Sequence, residues 1–436
     1  MIRSRYTLYL EDYPRHGTHL LYNTLNQGMV EVDTEAKEVI EALPIQPDNP
    51  DSISALESLR EMGFLVDDPS EDEASIEGYF GDITDKNDTV DATVMTTYAC
   101  NFACTYCVEE GVKASLHMDD ATARDSAKYI LREAKRRKAK NLYLNMYGGE
   151  PLMNLMSLRI VAGEVQRGAA KAKMQYGMTM TSNGALLTPM VVDELVTYGL
   201  VGVKVTIDGD RKRHNIKRPY LDGRGSYDKI IENITYAVDK IGIDIGCNFD
   251  DENIESFPRL LEDLHERGIH EKIHRITFKP ISETPHDREM VRSTAEIDCV
   301  YGDPDTAIRS IDLQARAIEL GFPVAEGVGV NICGITLNSA NFVIDPVGKL
   351  FKCCGFVGHD RFVVGDIWRG ERSQAAPGEL WKRCKNCVYV PLCGDSCMFG
   401  SFLRFGDEKR LNCQKDFVEY IVRENLKSNY RNDQTV

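Results

Sequence analysis

Three cysteines, Cys100, Cys104 and Cys107, lie within eight residues, in the run Cys-Asn-Phe-Ala-Cys-Thr-Tyr-Cys. Three thiolates can bind three of the four irons of a cubic iron-sulfur cluster, which leaves the fourth iron open to a small molecule. A zinc site that takes a fourth ligand from elsewhere in the chain has the same local pattern. The spacing therefore predicts a metal or cluster site, and an open iron favours catalysis over electron storage.

Later segments of the chain resemble the same enzyme family as this motif. With Tyr106 before its last cysteine, Cys-x3-Cys-x2-Cys resembles the signature of radical S-adenosylmethionine (radical SAM) enzymes. The resemblance continues in four segments, Tyr147-Gly148-Gly149-Glu150-Pro151, Ser182-Asn183, Asp208-Gly209 and Arg218-Pro219. Each segment taken alone is typical of an ordinary turn, a capping residue at a strand end or a surface arginine.

The resemblance implies that these residues bind S-adenosylmethionine (SAM). A glycine pair lets the backbone pass close to a ligand, and the Glu150 carboxylate offers a partner for the ammonium of SAM. The Ser182 and Asn183 side chains would face its ribose and methionyl groups, and the Arg218 guanidinium its carboxylate. The SAM-binding residues that the family implies are Tyr106, Gly148, Gly149, Glu150, Pro151, Ser182, Asn183, Asp208 and Arg218.

The last hundred residues contain a second cysteine pattern, which resembles the SPASM domain with its two auxiliary iron-sulfur clusters. By the interleaved ligation of that family, an outer cluster would be bound by Cys384, Cys387, Cys393 and Cys413, and an inner one by Cys333, Cys353 and Cys397. The inner cluster is one ligand short, so it has an open iron or recruits Cys354 or Cys299. Without the radical SAM motif, the Cys-x2-Cys pair would favour structural zinc.

Composition restricts the class of protein. The chain has 436 residues, 42% of them hydrophobic and 28% charged, which is typical of a soluble protein of two to three domains. We expect a cytoplasmic protein without a membrane segment, because no apolar run approaches the roughly 20 residues of a spanning helix. Of the net charge of -16, the first 90 residues carry -14, which argues against a nucleic-acid partner.

The chain is expected to divide into an N-terminal module, a linker and two further domains. Residues 1–78 have the strand and helix pattern of a winged-helix peptide-recognition module, or of a capping module that binds nothing. An acidic stretch, 69–75, reads as solvated linker, and the linker continues over 79–91. Residues 92–322 alternate strands with amphipathic helices, and 323–436 form the SPASM domain and a closing helix.

The fold class that follows is α/β, with parallel strands and right-handed crossovers. The number of units fits the partial (β/α)6 barrel of the radical SAM family. The carboxyl ends of its strands would bring the cysteine motif, Glu150, Ser182 and Asp208 together. Cys247 lies in an apolar stretch and is expected to be a small buried residue.

The resemblance also implies a function, that of a radical SAM oxidoreductase. A reduced cluster on Cys100, Cys104 and Cys107 would cleave SAM to methionine and a 5′-deoxyadenosyl radical, which abstracts a hydrogen from the substrate. SPASM-containing relatives mostly form thioether or carbon-carbon crosslinks in ribosomally made precursor peptides (RiPPs). The expected partners are thus a precursor peptide and an electron donor such as flavodoxin or ferredoxin. Two alternatives are an anaerobic sulfatase maturase, which makes formylglycine, and an iron-sulfur electron carrier.

Overall fold

The computed structural model describes residues 1–45, 48–85, 88–107, 115–281, 304–324, 340–372, 380–394 and 397–433. Two of the cysteines considered above, Cys299 and Cys333, lie outside the described residues. The expected contribution of Cys333 to the inner cluster therefore stays a prediction.

Fifteen strands are described. They are β1 (Ile2–Arg3), β2 (Thr7–Leu10), β3 (Thr18–Asn23), β4 (Met29–Asp33), β5 (Leu65–Val66), β6 (Thr89–Met95), β7 (Asn141–Tyr147), β8 (Gln175–Ser182), β9 (Leu200–Thr206), β10 (Gly242–Phe249), β11 (Arg275–Pro280), β12 (Phe342–Ile344), β13 (Lys349–Phe351), β14 (Gly365–Asp366) and β15 (Gly370–Glu371).

The described α-helices are α1 (Thr34–Ala42), α2 (Pro50–Glu61), α3 (Pro69–Asp85), α4 (Asp120–Arg136), α5 (Leu155–Lys171), α6 (Pro189–Thr197), α7 (Arg211–Lys217), α8 (Tyr227–Ala237), α9 (Phe257–Glu266), α10 (Pro304–Glu319), α11 (Val390–Cys393), α12 (Met398–Phe405) and α13 (Lys415–Asp433). Among the described residues, no helix is both long and apolar enough to span a membrane.

The strands β6 to β11 form one parallel sheet in which each strand lies beside its neighbour in sequence. Helices return the chain between successive strands, and their apolar faces pack on the sheet in the largest hydrophobic core of the protein. This confirms the predicted α/β architecture with six parallel strands. Because all six strands run the same way, their carboxyl ends meet at one edge of the sheet.

The sheet continues beyond β6 into the cysteine-rich C-terminal part. The short strand β12 pairs in parallel with β6, with Phe342 opposite Ala92. Strands β13, β14 and β15 then add to β12 in antiparallel order. An unpaired edge would expose its backbone amides and carbonyls, and β12 covers that edge of the barrel. The sequence pattern did not predict this shared sheet.

The N-terminal module, defined here as residues 1–85, contains the predicted strands and helices. Strands β2, β3 and β4 form an antiparallel sheet, and β1 pairs with β5 beside it. Helices α1 and α2 cover Leu21 and Phe64 in a small core of their own. Asp33 caps α1, since its carboxylate accepts from the amide of Ala36.

The predicted solvated linker over residues 69–75 is wrong, because these residues begin helix α3. Three side chains on one helical face are buried, at Asp72, Ile76 and Phe80. The Asp72 carboxylate accepts from the Ser4 hydroxyl at 2.6 Å and from the amide of Arg5 at 2.8 Å. The acidic composition of this segment suggested a linker, although its buried positions recur every fourth residue, as they do in an amphipathic helix. The helix extends to Asp85, into the segment that was expected to be linker.

Candidate active site

The cysteine loop, residues 100–107, follows β6 at the carboxyl edge of the sheet. Two of its amides, at Ala103 and Thr105, donate to carbonyls in the segment 217–221 at 2.9 and 3.0 Å. Phe102 packs against Tyr220 with the ring centroids 4.9 Å apart. The loop that carries the thiols is therefore held against the segment that follows α7, which lies far from β6 in sequence.

The glycine pair after β7 packs against the backbone that leads into this loop. A Cβ atom on Gly148 would lie 2.4 Å from the carbonyl oxygen of Thr97, and one on Gly149 equally close to that of Ala99. The amides of Gly149 and Glu150 donate to these same two carbonyls, at 3.1 and 2.9 Å. The structure thus gives the glycines a packing role, since only a residue without a side chain lets the turn approach the loop so closely.

A Gly149→Ala variant is expected to displace the cysteine loop, because the new methyl group meets backbone atoms that cannot rotate away. We expect a loss of roughly 1–3 kcal/mol in the free energy of unfolding and weaker iron loading after anaerobic reconstitution. Gly78→Ala is the matched control, because nothing lies within 4 Å of the position where its Cβ would be. Equal stability and equal iron content in the two variants would contradict this packing role.

Glu150 lies at the centre of a buried cluster that joins the carboxyl ends of β7 and β8. Its carboxylate accepts from the Ser182 hydroxyl at 3.0 Å and from the amides of Asn183 and Leu152 at 2.8 and 3.1 Å. Complete burial nevertheless raises the pKa of Glu150 to about 7. The Asn183 side-chain amide lies 3.8 Å from the Cys100 sulfur, so this cluster adjoins the cysteine loop.

A second buried network joins the cysteine loop to β9 and the segment after α7. The Tyr106 hydroxyl donates to the Asp208 carboxylate and accepts from the Arg218 guanidinium at 2.7 Å. Asp208 and Arg218 form an ion pair at 3.7 Å, and both side chains are almost completely buried. The backbone amide of Asn248 also donates to Asp208, at 2.9 Å. This network places one negative and one positive charge beside the loop.

Two further residues, His214 and Ser226, hold the backbone of Asp208 and Arg218 in place. His214 accepts from the amide of Asp208 at 3.2 Å through Nδ1, so its Nε2 carries the proton and donates to the Ser226 hydroxyl at 3.0 Å. Ser226 in turn donates to the Arg218 carbonyl at 2.6 Å. Burial, and then the nearby Arg218 charge, lower the pKa of His214 well below its ordinary value, so it stays neutral.

The residues predicted from sequence therefore come together, although in two groups. Glu150, Ser182 and Asn183 form one group, and Tyr106, Asp208 and Arg218 form the other. Sequence reasoning missed Asn248, the next-to-last residue of β10, one position after the buried Cys247. Its position at a strand end on the same edge was the signal that could have identified it.

The described auxiliary cysteines also separate into two groups. Cys353, Cys354 and Cys397 pack on one hydrophobic cluster, around Phe356 and Phe399. Cys384, Cys387 and Cys393 pack on two neighbouring clusters that the N-terminal module shares. Cys413 is exposed. The interleaved ligation that the family implies stays a prediction. No three His, Cys, Asp or Glu side chains within the described part of the chain converge as the ligands of a single metal ion would.

Comparison with known families identifies the barrel. Residues 94–264 match the model of the radical SAM superfamily. The chain contains a radical SAM domain. Among curated proteins, it is 24% identical to the mycofactocin maturase MftC of Mycolicibacterium smegmatis over 328 residues, which cover 70% of this chain and 77% of the relative. It is also 29% identical over 196 residues to a probable GTP 3′,8-cyclase of Saccharolobus islandicus, which covers 44% of this chain and 58% of that one.

Solved structures show the same fold around the radical SAM domain. The enzyme anSMEcpe with bound AdoMet superimposes with a TM-score of 0.58 at 18% identity, over 78% of this chain and 99% of that one. SuiB of Streptococcus suis superimposes with a TM-score of 0.53 at 15% identity, over 95% of this chain and 99% of that one. The match to SuiB thus extends over nearly the whole chain, at an identity that is evidence for the fold alone.

Proposed function

We propose that this radical SAM enzyme matures a ribosomally made precursor peptide, in which it forms a thioether or carbon-carbon crosslink. The observation that carries the proposal is the meeting of two buried polar groups at the cysteine loop. One group contains the Glu150 carboxylate, and the other contains the Asp208 and Arg218 ion pair. An electron carrier has no use for such ligand-binding groups beside its cluster.

The residues at this site fit a cluster with an open iron and a zwitterionic ligand. Cys100, Cys104 and Cys107 would hold the cluster, since three thiols leave one iron free. When bound, the cluster and SAM supply the abstraction of hydrogen from an unactivated carbon. Glu150 would receive the ammonium of the ligand, and Arg218 its carboxylate, as charge-assisted hydrogen bonds.

The protein contributes orientation and exclusion of water at this site. Glu150 and Asp208 are inaccessible to solvent, so both carboxylates act in a medium of low dielectric constant. Tyr106 joins the cysteine loop to Asp208 and Arg218, and His214 holds the backbone behind them. A ligand held between the two groups would be fixed relative to the loop, which determines the hydrogen that comes within reach.

The auxiliary cysteines would hold two further clusters. We assign Cys384, Cys387, Cys393 and Cys413 to the outer cluster, and Cys353 and Cys397 with Cys333 to the inner one. The two packing groups of these side chains support this assignment. Clusters held by these cysteines would supply electron transfer for the formation of the new bond, and the expected external electron donor is a protein such as flavodoxin or ferredoxin.

Three similar proteins support a peptide substrate. One relative is named a mycofactocin maturase, and SuiB and anSMEcpe are both known in complexes with peptides. The acidic N-terminal module would repel nucleic acid but admit a neutral or basic peptide. The match to SuiB covers 95% of this chain against 78% for anSMEcpe, which favours a peptide maturase that carries an N-terminal module.

The proposed chemistry is tested by replacing the three loop cysteines. With reconstituted protein, dithionite and SAM under anaerobic conditions, we expect 5′-deoxyadenosine from the parent and none above background from the Cys100/Cys104/Cys107→Ala variant. Cys247→Ala is the matched control, because Cys247 is a buried barrel cysteine outside the loop. Candidate peptides are then examined by mass spectrometry for the loss of two hydrogens that either crosslink requires. Failure of the parent to bind SAM would refute the assignment.

A further inference from the structure

The N-terminal module is packed against the segment that carries most of the proposed outer-cluster ligands. We call residues 381–393 the outer-cysteine loop, since they include Cys384, Cys387 and Cys393. The loop is irregular, made of a short 3-10 turn, tight turns and the single turn α11. Short irregular segments of this kind hold a fixed shape only when their polar backbone groups find partners.

Three hydroxyl groups of the module provide such partners. Tyr6, Thr24 and Tyr79 each donate to a carbonyl of the outer-cysteine loop, at 2.7, 2.6 and 2.9 Å respectively. The accepting carbonyls belong to Lys385, Val388 and Pro391, one in each successive turn of the loop. The turns of the loop itself use other carbonyls, those of Lys382, Cys384, Cys387, Tyr389 and Val390. Module and loop therefore divide the hydrogen bonding of this backbone between them.

Apolar contacts join the same two parts of the protein. Phe80 of α3 stacks on Trp381 with the ring centroids 4.5 Å apart and the planes 14° from parallel. Cys384 and Cys387 pack on the cluster that contains Tyr6 and Phe80. Two of the proposed ligand side chains thus pack on a cluster that module and loop residues form together, so a shift of the module would disturb their surroundings.

The hydroxyl donors are suited to this role because they are held in place. Thr24 and Tyr6 are almost completely buried, so their hydroxyls must find their partners within the protein. A carbonyl oxygen can only accept, so each hydroxyl serves it as the donor.

We propose that the N-terminal module is part of the outer auxiliary cluster site, and that its Tyr6, Thr24 and Tyr79 hydroxyls hold the outer-cysteine loop in the shape that presents its cysteines. The proposal rests on the assignment of these cysteines as ligands, but the hydrogen bonds that carry it do not depend on the peptide substrate. The module then has a structural role at the outer auxiliary cluster, whether or not it also binds a peptide.

The test is a triple variant, Tyr6→Phe, Thr24→Val and Tyr79→Phe, which removes the three hydroxyls and keeps the shapes of the side chains. Tyr13→Phe is the matched control, because its hydroxyl donates to the carbonyl of Lys427 in α13 at 2.8 Å, outside the loop. In metal-free reduced protein, alkylation of Cys384, Cys387 and Cys393 is followed by mass spectrometry. We expect roughly a hundredfold faster alkylation in the triple variant, and about fivefold in Thr24→Val alone.

Alkylation in metal-free protein measures the loop without cluster or SAM chemistry, so its outcome is independent of the proposed function. In reconstituted protein, the triple variant should also release part of its iron to a chelator faster than the parent and the control. Unchanged alkylation of the three loop cysteines overturns the proposal. The proposal is also overturned if alkylation of Cys100, Cys104 and Cys107 is accelerated to the same extent, because the variant would then have loosened the whole protein. The single Thr24→Val variant decides the question if the triple variant does not fold.

Discussion

An Asp208→Asn variant is expected to lose roughly 3–5 kcal/mol of its free energy of unfolding, the range found when one partner of a buried ion pair is removed. Asp208 and Arg218 are both almost completely buried, so the Arg218 guanidinium would keep its charge without the carboxylate that faces it. The new amide must also present its NH₂ group to a donor, either the Tyr106 hydroxyl or the backbone amide of Asn248. Denaturant unfolding followed by circular dichroism measures the loss.

Asp222→Asn is the control for Asp208→Asn. Asp222 pairs with Arg224 at 2.8 Å, but both side chains are largely exposed, and we expect no measurable change in stability. The Asp208 variant should also bind SAM weakly, because Tyr106 and Arg218 lose the group that aligns them. Retention of parental stability in Asp208→Asn would mean that the buried ion pair is not formed in solution.

A Glu150→Gln variant is expected to lose SAM affinity by roughly a hundredfold, since a charge-assisted hydrogen bond to the ligand ammonium is replaced by a neutral one. The glutamine side chain has a single acceptor oxygen for the three donors that now surround the carboxylate. Equilibrium dialysis with labelled SAM measures the affinity. Glu164→Gln is the control, because Glu164 lies on α5 and pairs with Arg124 at the surface.

The same variant tests how stability depends on pH. Burial raises the pKa of Glu150 from its ordinary 4.5 to about 7, so the folded protein binds this proton more tightly than the unfolded chain does. Below pH 4.5 the Glu150 carboxyl is protonated in both states, and its burial lowers the free energy of unfolding very little. As pH rises from 4.5 to 7, the unfolded chain ionises this group first, so the folded state becomes progressively less stable, and the loss is complete above pH 7. Relative to Glu150→Gln, the parent should lose about 3 kcal/mol of stability over that interval. Parallel stability curves for the two proteins would contradict this.

Much of the site followed from sequence because a parallel sheet places its strand ends together. Glu150 and Ser182 lie 32 residues apart, but Ser182 ends β8 and Glu150 lies in the turn that follows the neighbouring strand β7, so their contact follows from topology alone. The partners of Tyr106 did not follow. The motif placed Tyr106 among the SAM-binding residues, which stays a prediction, and it gave no sign that the Tyr106 hydroxyl bonds to Asp208 and Arg218.

Other features were hidden for physical reasons. Asn248 has no local motif, since its role depends on a strand end brought close by tertiary folding. The edge strand β12 has only three residues, too few for an alternation of polar and apolar side chains to be recognised. In α3, the acidic composition outweighed the spacing of the three inward residues.

The pairing of β12 with β6 has a consequence for how the protein is made. During synthesis, Ala92 of the first barrel strand cannot pair with Phe342 until the ribosome has added 250 more residues. Until then the nascent barrel presents an open edge to other chains, the kind of surface on which partly synthesised proteins associate. The last helix, α13, then reaches back to β2, where Arg423 donates to the carbonyl of Tyr9 at 3.0 Å. The barrel therefore gains its last edge strand only after residues 342–344 have been made, and contacts with other chains compete for that edge until then.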